Sequence, residues 1–265
     1  MPVVDHHASG TPSWIDLGSP DPDASAPFYC DLFGWTVTSA EPVEETGGYR
    51  MFQLDGRDVA GLGPQQAPGR PYWTTYVTVG DAEAAVGRVS EAGGSVLAPV
   101  MDVLDAGRMA VCADPEGAAF SVWQPLGSIG AQVVNEPGSL TWNELMCRDP
   151  ERAKRFYGAV FGWTANELDM GDSPYVEWQA DGRTVGGMMP MVGDGWGTPE
   201  ELPAHWMVYF AVEDTDATAI RCEELGGHVS VPPTDIPPGR FAVLDDPHGA
   251  VFSVVKLAAG RDASS

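Results

Sequence analysis

The sequence predicts an α+β fold: two tandem domains of one architecture, each made of two βαβββ modules whose sheets curl into a cup. Three observations carry this. The octapeptides FYCDLFGW (28–35) and FYGAVFGW (156–163) agree at five of eight positions and lie 128 residues apart in a chain of 265. A second pair, GRMAVCADPEGAAFSV from Gly107 and GRFAVLDDPHGAVFSV from Gly239, repeats at an offset of 132. Inside each half, Asp21 and Gly34 precede Asp81 and Gly94 by 60 residues, and Asp149 and Gly162 precede Asp214 and Gly227 by 65. Self-similarity of this kind marks copies of one structural unit.

Residues 1–12 read as a flexible leader of Pro, Ser and Gly, with His6 and His7 as solvated tail rather than ligands. The first domain spans 13–126. It opens on a short strand through WIDLG, after which Asp21 caps a helix of about ten residues that Gly34 stops. Tyr49 and the DGR at Asp55 return as Tyr175 and the DGR at Asp181, at an offset of 126. YWTTYVTVGD (72–81) opens the second module, whose helix runs from Asp81 to Gly94, and it returns as HWMVYFAVED (205–214) at 133. The intervening gain of seven residues falls in MVGDGWGTPEELPA, a loop composition in which Trp196 is a candidate lid over the second cup. Alternating segments such as RFAVLDD and VFSVVKL supply the remaining strands. A linker at 127–139 joins the second domain, 140–258, and 259–265 is a C-terminal tail.

Composition narrows the function classes. The formal charge of −24, with 14 basic against 38 acidic residues, opposes phosphate backbones and anionic membranes, because such binding is built from Lys and Arg. The acidity serves solubility and favours a cationic ligand. No window approaches the roughly 18 apolar residues of a membrane span, and the start has neither a basic nor an apolar signal region, so the expected compartment is the cytoplasm. Cys30, Cys112, Cys147 and Cys222 show no CxxC spacing, which predicts buried free thiols instead of a zinc knuckle or disulfide framework. EAGG and ELGG lack the spacing of phosphate loops, and helix termination accounts for them. Met188, Met189 and Met191 read as core, and His248, in the DPHG turn, as a solvated turn residue whose counterpart is Glu116.

The Asp-helix-FY-x-x-LFGW segment and the GR(M/F)AV…DP-x-G…FSV ending, present in both halves, resemble the vicinal oxygen chelate superfamily of glyoxalase I, extradiol dioxygenases and bleomycin-resistance proteins. The likeness runs from Ser13 to Leu257, and the tandem arrangement resembles two-domain bacterial glyoxalase-like proteins often labelled hydroxylases. The resemblance implies a divalent metal held by a His on the first strand, a His or Glu on the strand opening the second module, and a Glu on the last strand. Counting from the helix caps, those positions hold Trp14, Thr74 and Ser121 in the first half and Trp142, Met207 and Ser253 in the second. None is a usual ligand, so no cofactor is expected.

Strand alternation brings Asp16 to the face of Trp14, Glu144 to that of Trp142, and Tyr76 and Tyr209 to those of Thr74 and Met207. A carboxylate facing an aromatic cup needs a hydrogen bond, a partner charge or a ligand. Asp16 and Glu144 are therefore the candidate bases or anchors, Tyr76 and Tyr209 the proton donors, and Trp14, Trp142, Thr74, Met207, Ser121 and Ser253 the ligand-binding surface. The structural alternative has each carboxylate pair with an arginine such as Arg108 or Arg240, or cap neighbouring backbone.

Three functions stay open. The leading one is a metal-independent protein whose cups bind a small aromatic or cationic molecule, in resistance or specialised metabolism. The second is an enzyme of the hydroxylase/dioxygenase or lyase/isomerase type, using the carboxylates and tyrosines or an atypical metal site built from Asp16, Glu144 or His205. The third is an interaction protein with vestigial cups. Duplication places in one chain what relatives reach by dimerisation, so the expected state is a monomer or weak homodimer.

Overall fold

The computed structural model describes residues 3–40, 43–170 and 173–258; the expected tail lies outside them. The first half runs β1 (Pro12–Ser19), α1 (Pro22–Phe33), β2 (Thr36–Val37), α2 (Val43–Thr46), β3 (Arg50–Leu54), β4 (Arg57–Pro64), β5 (Tyr72–Thr78), α3 (Ala82–Glu91), β6 (Ser95–Val103), β7 (Gly107–Ala113) and β8 (Ala119–Pro125). The second runs β9 (Leu140–Cys147), α4 (Pro150–Phe161), β10 (Thr164–Met170), β11 (Ser173–Ala180), β12 (Arg183–Pro190), β13 (His205–Ala211), α5 (Thr215–Glu224), β14 (His228–Ile236), β15 (Gly239–Asp245) and β16 (Val251–Leu257). Each half forms one eight-stranded mixed sheet, ordered β2-β3-β4-β1-β5-β8-β7-β6 and β10-β11-β12-β9-β13-β16-β15-β14. Two βαβββ modules thus join through the antiparallel pair β1/β5 or β9/β13, as the internal repeats predict.

Local chemistry explains the helix limits. Asp21 accepts a hydrogen bond from the Ala24 N–H, and Asp149 one from the Arg152 N–H; Gly34 and Gly162 then stop α1 and α4, each at φ 73°. Asp81 and Asp214 cap α3 and α5 in the same way. These helices end at Glu91 and Glu224, two residues earlier than the glycine spacing predicts, with Gly93 and Gly226 in the left-handed region. Gly94 is required for a different reason, since a Cβ there would stand 2.7 Å from both Ala113 O and Phe156 Cε2.

The hydrophobic cores do not follow the halves. One joins Ile15, Tyr29, Phe33, Trp35 and Phe52 to Phe210, Cys222, Leu244 and Phe252; another joins Val77, Val89 and Phe120 to Leu145, Phe156, Tyr157 and Trp178. Module one shares its core with module four, and module two with module three. The two repeated motifs form the lock. Tyr29 OH donates to Asp246 Oδ2 (3.1 Å) in the opposite DPHG turn, and Tyr157 OH to Asp114 Oδ2 (3.1 Å) in the DPEG turn. Trp35 Nε1 donates to Gly138 O in the linker, while Trp163 Nε1 donates to Gly10 O in the leader, both at 2.7 Å.

The leader is accordingly pinned at Val4, His7 and Gly10, while His6 is exposed as expected. Val4 N–H donates to Gln132 O, Gly10 N–H to Thr78 O, and the His7 ring lies 2.8 Å from Ala131 O, half-buried; burial pushes its pKa down. Three of the four free cysteines are buried as expected, whereas Cys30 is only half-buried. Met188 and Met191 are in the interior, but Met189 is half-buried beside the second site. No helix among the described residues is long and apolar enough to cross a membrane.

Candidate functional site

Odd-numbered residues of β1, such as Ile15 and Leu17, face the helices, so even-numbered Trp14 and Asp16 face the other side. Across the ladder Trp14 pairs with Tyr76, Asp16 with Thr74, and Tyr76 with Ser121. In the second sheet Trp142 pairs with Tyr209, Glu144 with Met207, and Tyr209 with Ser253. All ten residues singled out in the sequence therefore converge, five to a sheet, on the faces turned away from the helices.

At the centre of each face is a carboxylate held by phenols. Tyr76 OH donates to Asp16 Oδ2 at 2.7 Å, and Tyr209 OH to Glu144 Oε2 at 2.7 Å. A second tyrosine completes each constellation: Tyr49 OH donates to Asp16 Oδ2 at 3.2 Å and accepts from Trp14 Nε1 at 3.0 Å, and Tyr175 OH accepts from Trp142 Nε1 at 2.9 Å beside Glu144. Sequence reasoning missed Tyr49 and Tyr175 as site residues, although their recurrence at a fixed offset is the signal. The glycines that admit them are another. A Cβ on Gly61 would overlap the Tyr49 hydroxyl and stand 2.9 Å from Asp16 Cβ; one on Gly187 would stand 2.7 Å from Trp142 Nε1.

The carboxylates carry no counter-charge among the described residues. Arg108 pairs instead with Glu83 of α3 and Asp102 of β6, and Arg240 with Asp216 of α5 and Asp235 of β14, which removes the arginine-pairing alternative for these two residues. Burial pushes the Asp16 carboxyl above the ordinary range, opposed by hydrogen bonds from Tyr76, Thr74 and Tyr49. Glu144 is raised for the same reason, opposed by Tyr209 and Tyr175. All four phenols are pushed well above 10, first by burial and then by the neighbouring carboxylate, so they remain protonated donors. The hydroxyls of Ser121 and Ser253 are buried against Tyr76 and Tyr209 without the geometry of a formed hydrogen bond.

The donor set does not fit a divalent metal. The implied ligand positions present indole, hydroxyl and thioether groups, Asp16 Oδ2 is taken by two phenols, and no group of three or more His, Cys, Asp or Glu gathers among the described residues. His205 does share the face of Met207 and Tyr209, but its Nδ1 lies 2.8 Å from Pro203 O and burial lowers its pKa. Of the weaker candidates, His248 contributes its backbone N–H to Asp246 Oδ1 within the turn. Trp196 lies in a short helical turn whose carbonyl accepts from Arg148 Nη2. A cleft of about 120 Å³ runs along the end of β9, between His7, Asn135, Thr141, Trp142 and Thr184, so Trp142 links it to the second site.

Comparison with known proteins agrees with this architecture. Residues 11–122 match the Glyoxalase/Bleomycin resistance protein/Dioxygenase superfamily and residues 128–255 a glyoxalase-like domain. CFP32 of Mycobacterium tuberculosis (strain CDC 1551 / Oshkosh), whose name carries a provisional assignment as a glyoxylase, is 44% identical over 97% of this chain and 99% of its own. The anthracycline biosynthesis protein DnrV of Streptomyces peucetius is 42% identical over 97% of each chain. Among solved structures, the Mn(II)-bound glyoxalase of Novosphingobium aromaticivorans superposes with a TM-score of 0.64 at 18% identity, covering 94% of this chain and 82% of that one. The 2,3-dioxygenase LapB of Pseudomonas sp. KL28 gives 0.64 at 14% identity, with coverage of 94% and 93%. The chain belongs to the glyoxalase/bleomycin resistance protein/dioxygenase superfamily, with two glyoxalase-like domains in tandem.

Proposed function

We propose that the protein binds a small aromatic or cationic organic molecule on its cup faces without a divalent metal. The supporting observation is the constellation present in both repeats: a carboxylate without a counter-ion, two phenols, an indole and an unpartnered buried serine hydroxyl. Desolvating a carboxylate costs free energy that fold stability alone gives no reason to meet twice, whereas indole and phenol surfaces with a few polar anchors are the composition of a small-molecule site. Two relatives named for anthracycline biosynthesis agree with an aromatic ligand. One chain suffices, because its halves already supply the pseudo-symmetric arrangement. The test is calorimetric titration and thermal shift of the purified protein against small aromatic alcohols and amines: saturable binding lost in Trp14→Ala or Trp142→Ala supports the reading, and no binding or melting shift across the panel refutes it.

A second reading is acid–base catalysis on the bound molecule. It is favoured by carboxylates whose pKa burial raises, Asp16 and Glu144, standing in hydrogen-bond contact with protonated tyrosines, which sets a candidate base beside a candidate proton donor. It requires that Asp16→Asn or Glu144→Gln abolish turnover while a neutral ligand still binds.

A further inference from the structure

The two cups differ chemically, and the difference gathers around one carboxylate. Asp16 and Gly18 on β1 pair with Gly61 and Gly63 on β4. The second sheet has Glu144 and Met146 on β9 against Gly187 and Met189 on β12. Three thioethers therefore share the face of Glu144, which is 6% exposed: Met207 directly across, and Met146 and Met189 two residues along; Asp16 has Thr74 across and glycine backbone beside it, and is half-buried.

Aromatic rings occupy the space those glycines leave. The Tyr49 ring lies along β4, since a Cβ on Gly63 would stand 3.0 Å from Tyr49 Cδ2 and one on Gly61 would overlap its hydroxyl. From the opposite side Tyr72, the partner of Gly18, leans over that glycine: a Cβ on Gly18 would stand 3.7 Å from Tyr72 Cζ. Tyr72 is 38% exposed, and the residue equivalent to it in the second half is His205. Asp16 is thus ringed by Tyr49, Tyr72 and Tyr76, with Trp14 bonded to the first of them.

Electron-rich rings around an accessible anion select for positive charge. Both phenol protons of Tyr49 and Tyr76 are committed to Asp16 Oδ2, and the Tyr49 oxygen accepts from Trp14 Nε1, so neither phenol proton is left to meet an anionic ligand. No basic side chain ion-pairs with Asp16 among the described residues, and the chain carries a formal charge of −24. A neutral ligand would leave the carboxylate uncompensated, an anion would be repelled, and an ammonium group would meet both the Coulombic and the cation–π requirement. We propose that the Asp16 site of the first cup binds an organic ammonium group, and that the second cup, with Met146 and Met189 beside Glu144, does not. This rests on the reading of the cups as ligand sites and specifies which cup and which charge.

The experiment compares benzylamine, protonated at neutral pH, with benzyl alcohol, its uncharged counterpart of equal size, by calorimetric titration at pH 7 and low salt. The expected result is that benzylammonium binds at least about tenfold more tightly than the alcohol. Asp16→Asn removes that preference, the surface control Glu83→Gln leaves it within about twofold, and Gly18→Met, which copies Met146 and whose Cβ meets only ordinary contacts, abolishes ammonium binding while Asp16 stays in place. Melting curves of each variant verify folding, and Gly18→Met carries the test if Asp16→Asn is unfolded. Equal binding of both probes, or a preference that survives Asp16→Asn or Gly18→Met, overturns the ammonium assignment while leaving the cups as ligand sites. Binding of neither probe overturns the assignment and counts against the broader reading as well.

Discussion

Tyr29→Phe removes a single oxygen atom at the seam between the halves, and its cost follows from what that oxygen does. Tyr29 is fully buried; its hydroxyl donates to Asp246 Oδ2 at 3.1 Å and accepts from Trp73 Nε1 at 3.2 Å. Asp246 keeps its other anchors, since Oδ1 still accepts the backbone N–H groups of His248 and Ala250. The loss is therefore one hydrogen bond to a charged group, about 1.5–3 kcal/mol, plus a stranded indole N–H, about 1 kcal/mol, with ring packing retained. The expected destabilisation is about 3 kcal/mol, a large share of the roughly 5–15 kcal/mol that holds a typical domain folded. Urea unfolding followed by tryptophan fluorescence and far-ultraviolet circular dichroism measures it. Because the halves share their cores, both probes should report one transition at a lower midpoint with an unchanged slope. A loss below about 1 kcal/mol, or two separate transitions in the wild-type protein, would refute the interlocked-core reasoning.

Four further outcomes are expected. Asp16 and Glu144 have folded pKa values above their ordinary ones, so the stability linked to their protons is complete below about pH 4 and falls as pH rises through the folded values; Asp16→Asn and Glu144→Gln should gain melting temperature relative to wild type as pH is raised above about 4, and an unchanged difference would contradict the shift. Gly187→Ala forces Tyr175 and Trp142 apart, costing about 1–3 kcal/mol and changing indole emission, and unchanged stability and emission would place Tyr175 elsewhere. Trp163→Phe frees the Gly10 carbonyl, so amide exchange near residues 4–10 should accelerate while the cup tyrosines stay protected. Dialysis against EDTA should leave both melting temperature and probe affinity unchanged, and a loss of either would reveal a metal site that the side chains do not suggest.

Fold class was legible because repetition and capping are local properties: an Asp, an amphipathic run and a glycine recur four times, and each recurrence marks one module. The cup face was legible through strand alternation, which places Asp16 with Trp14 and Glu144 with Trp142 once one inward residue is known. The second tyrosine of each site was not, because Tyr49 arrives from the residue before β3 and Tyr175 from β11, two strands away from the carboxylate's own strand, and only the tolerance of Gly61 and Gly187 brings them to the carboxylate. The lock between halves escaped for a similar reason. FY-x-x-LFGW and DP-x-G each look self-sufficient as cap and turn motifs, and nothing in one of them names the other as its partner in the opposite half.

The shared cores also govern when the chain can fold. Tyr29 waits for Asp246, 217 residues later, and Trp35 packs 5.5 Å from Phe210 between ring centroids, so the first helix leaves the ribosome long before the surface that covers it exists. During that interval Phe28, Tyr29, Phe33 and Trp35 form an unshielded aromatic face, attractive to chaperones and to other nascent chains. Contacts this distant along the chain make closure slow. Translation that pauses before β16 prolongs the exposure, and a stop codon ahead of Phe252 makes it permanent, so C-terminal truncations should turn up in aggregates and proteolytic debris more than as stable half-sized proteins.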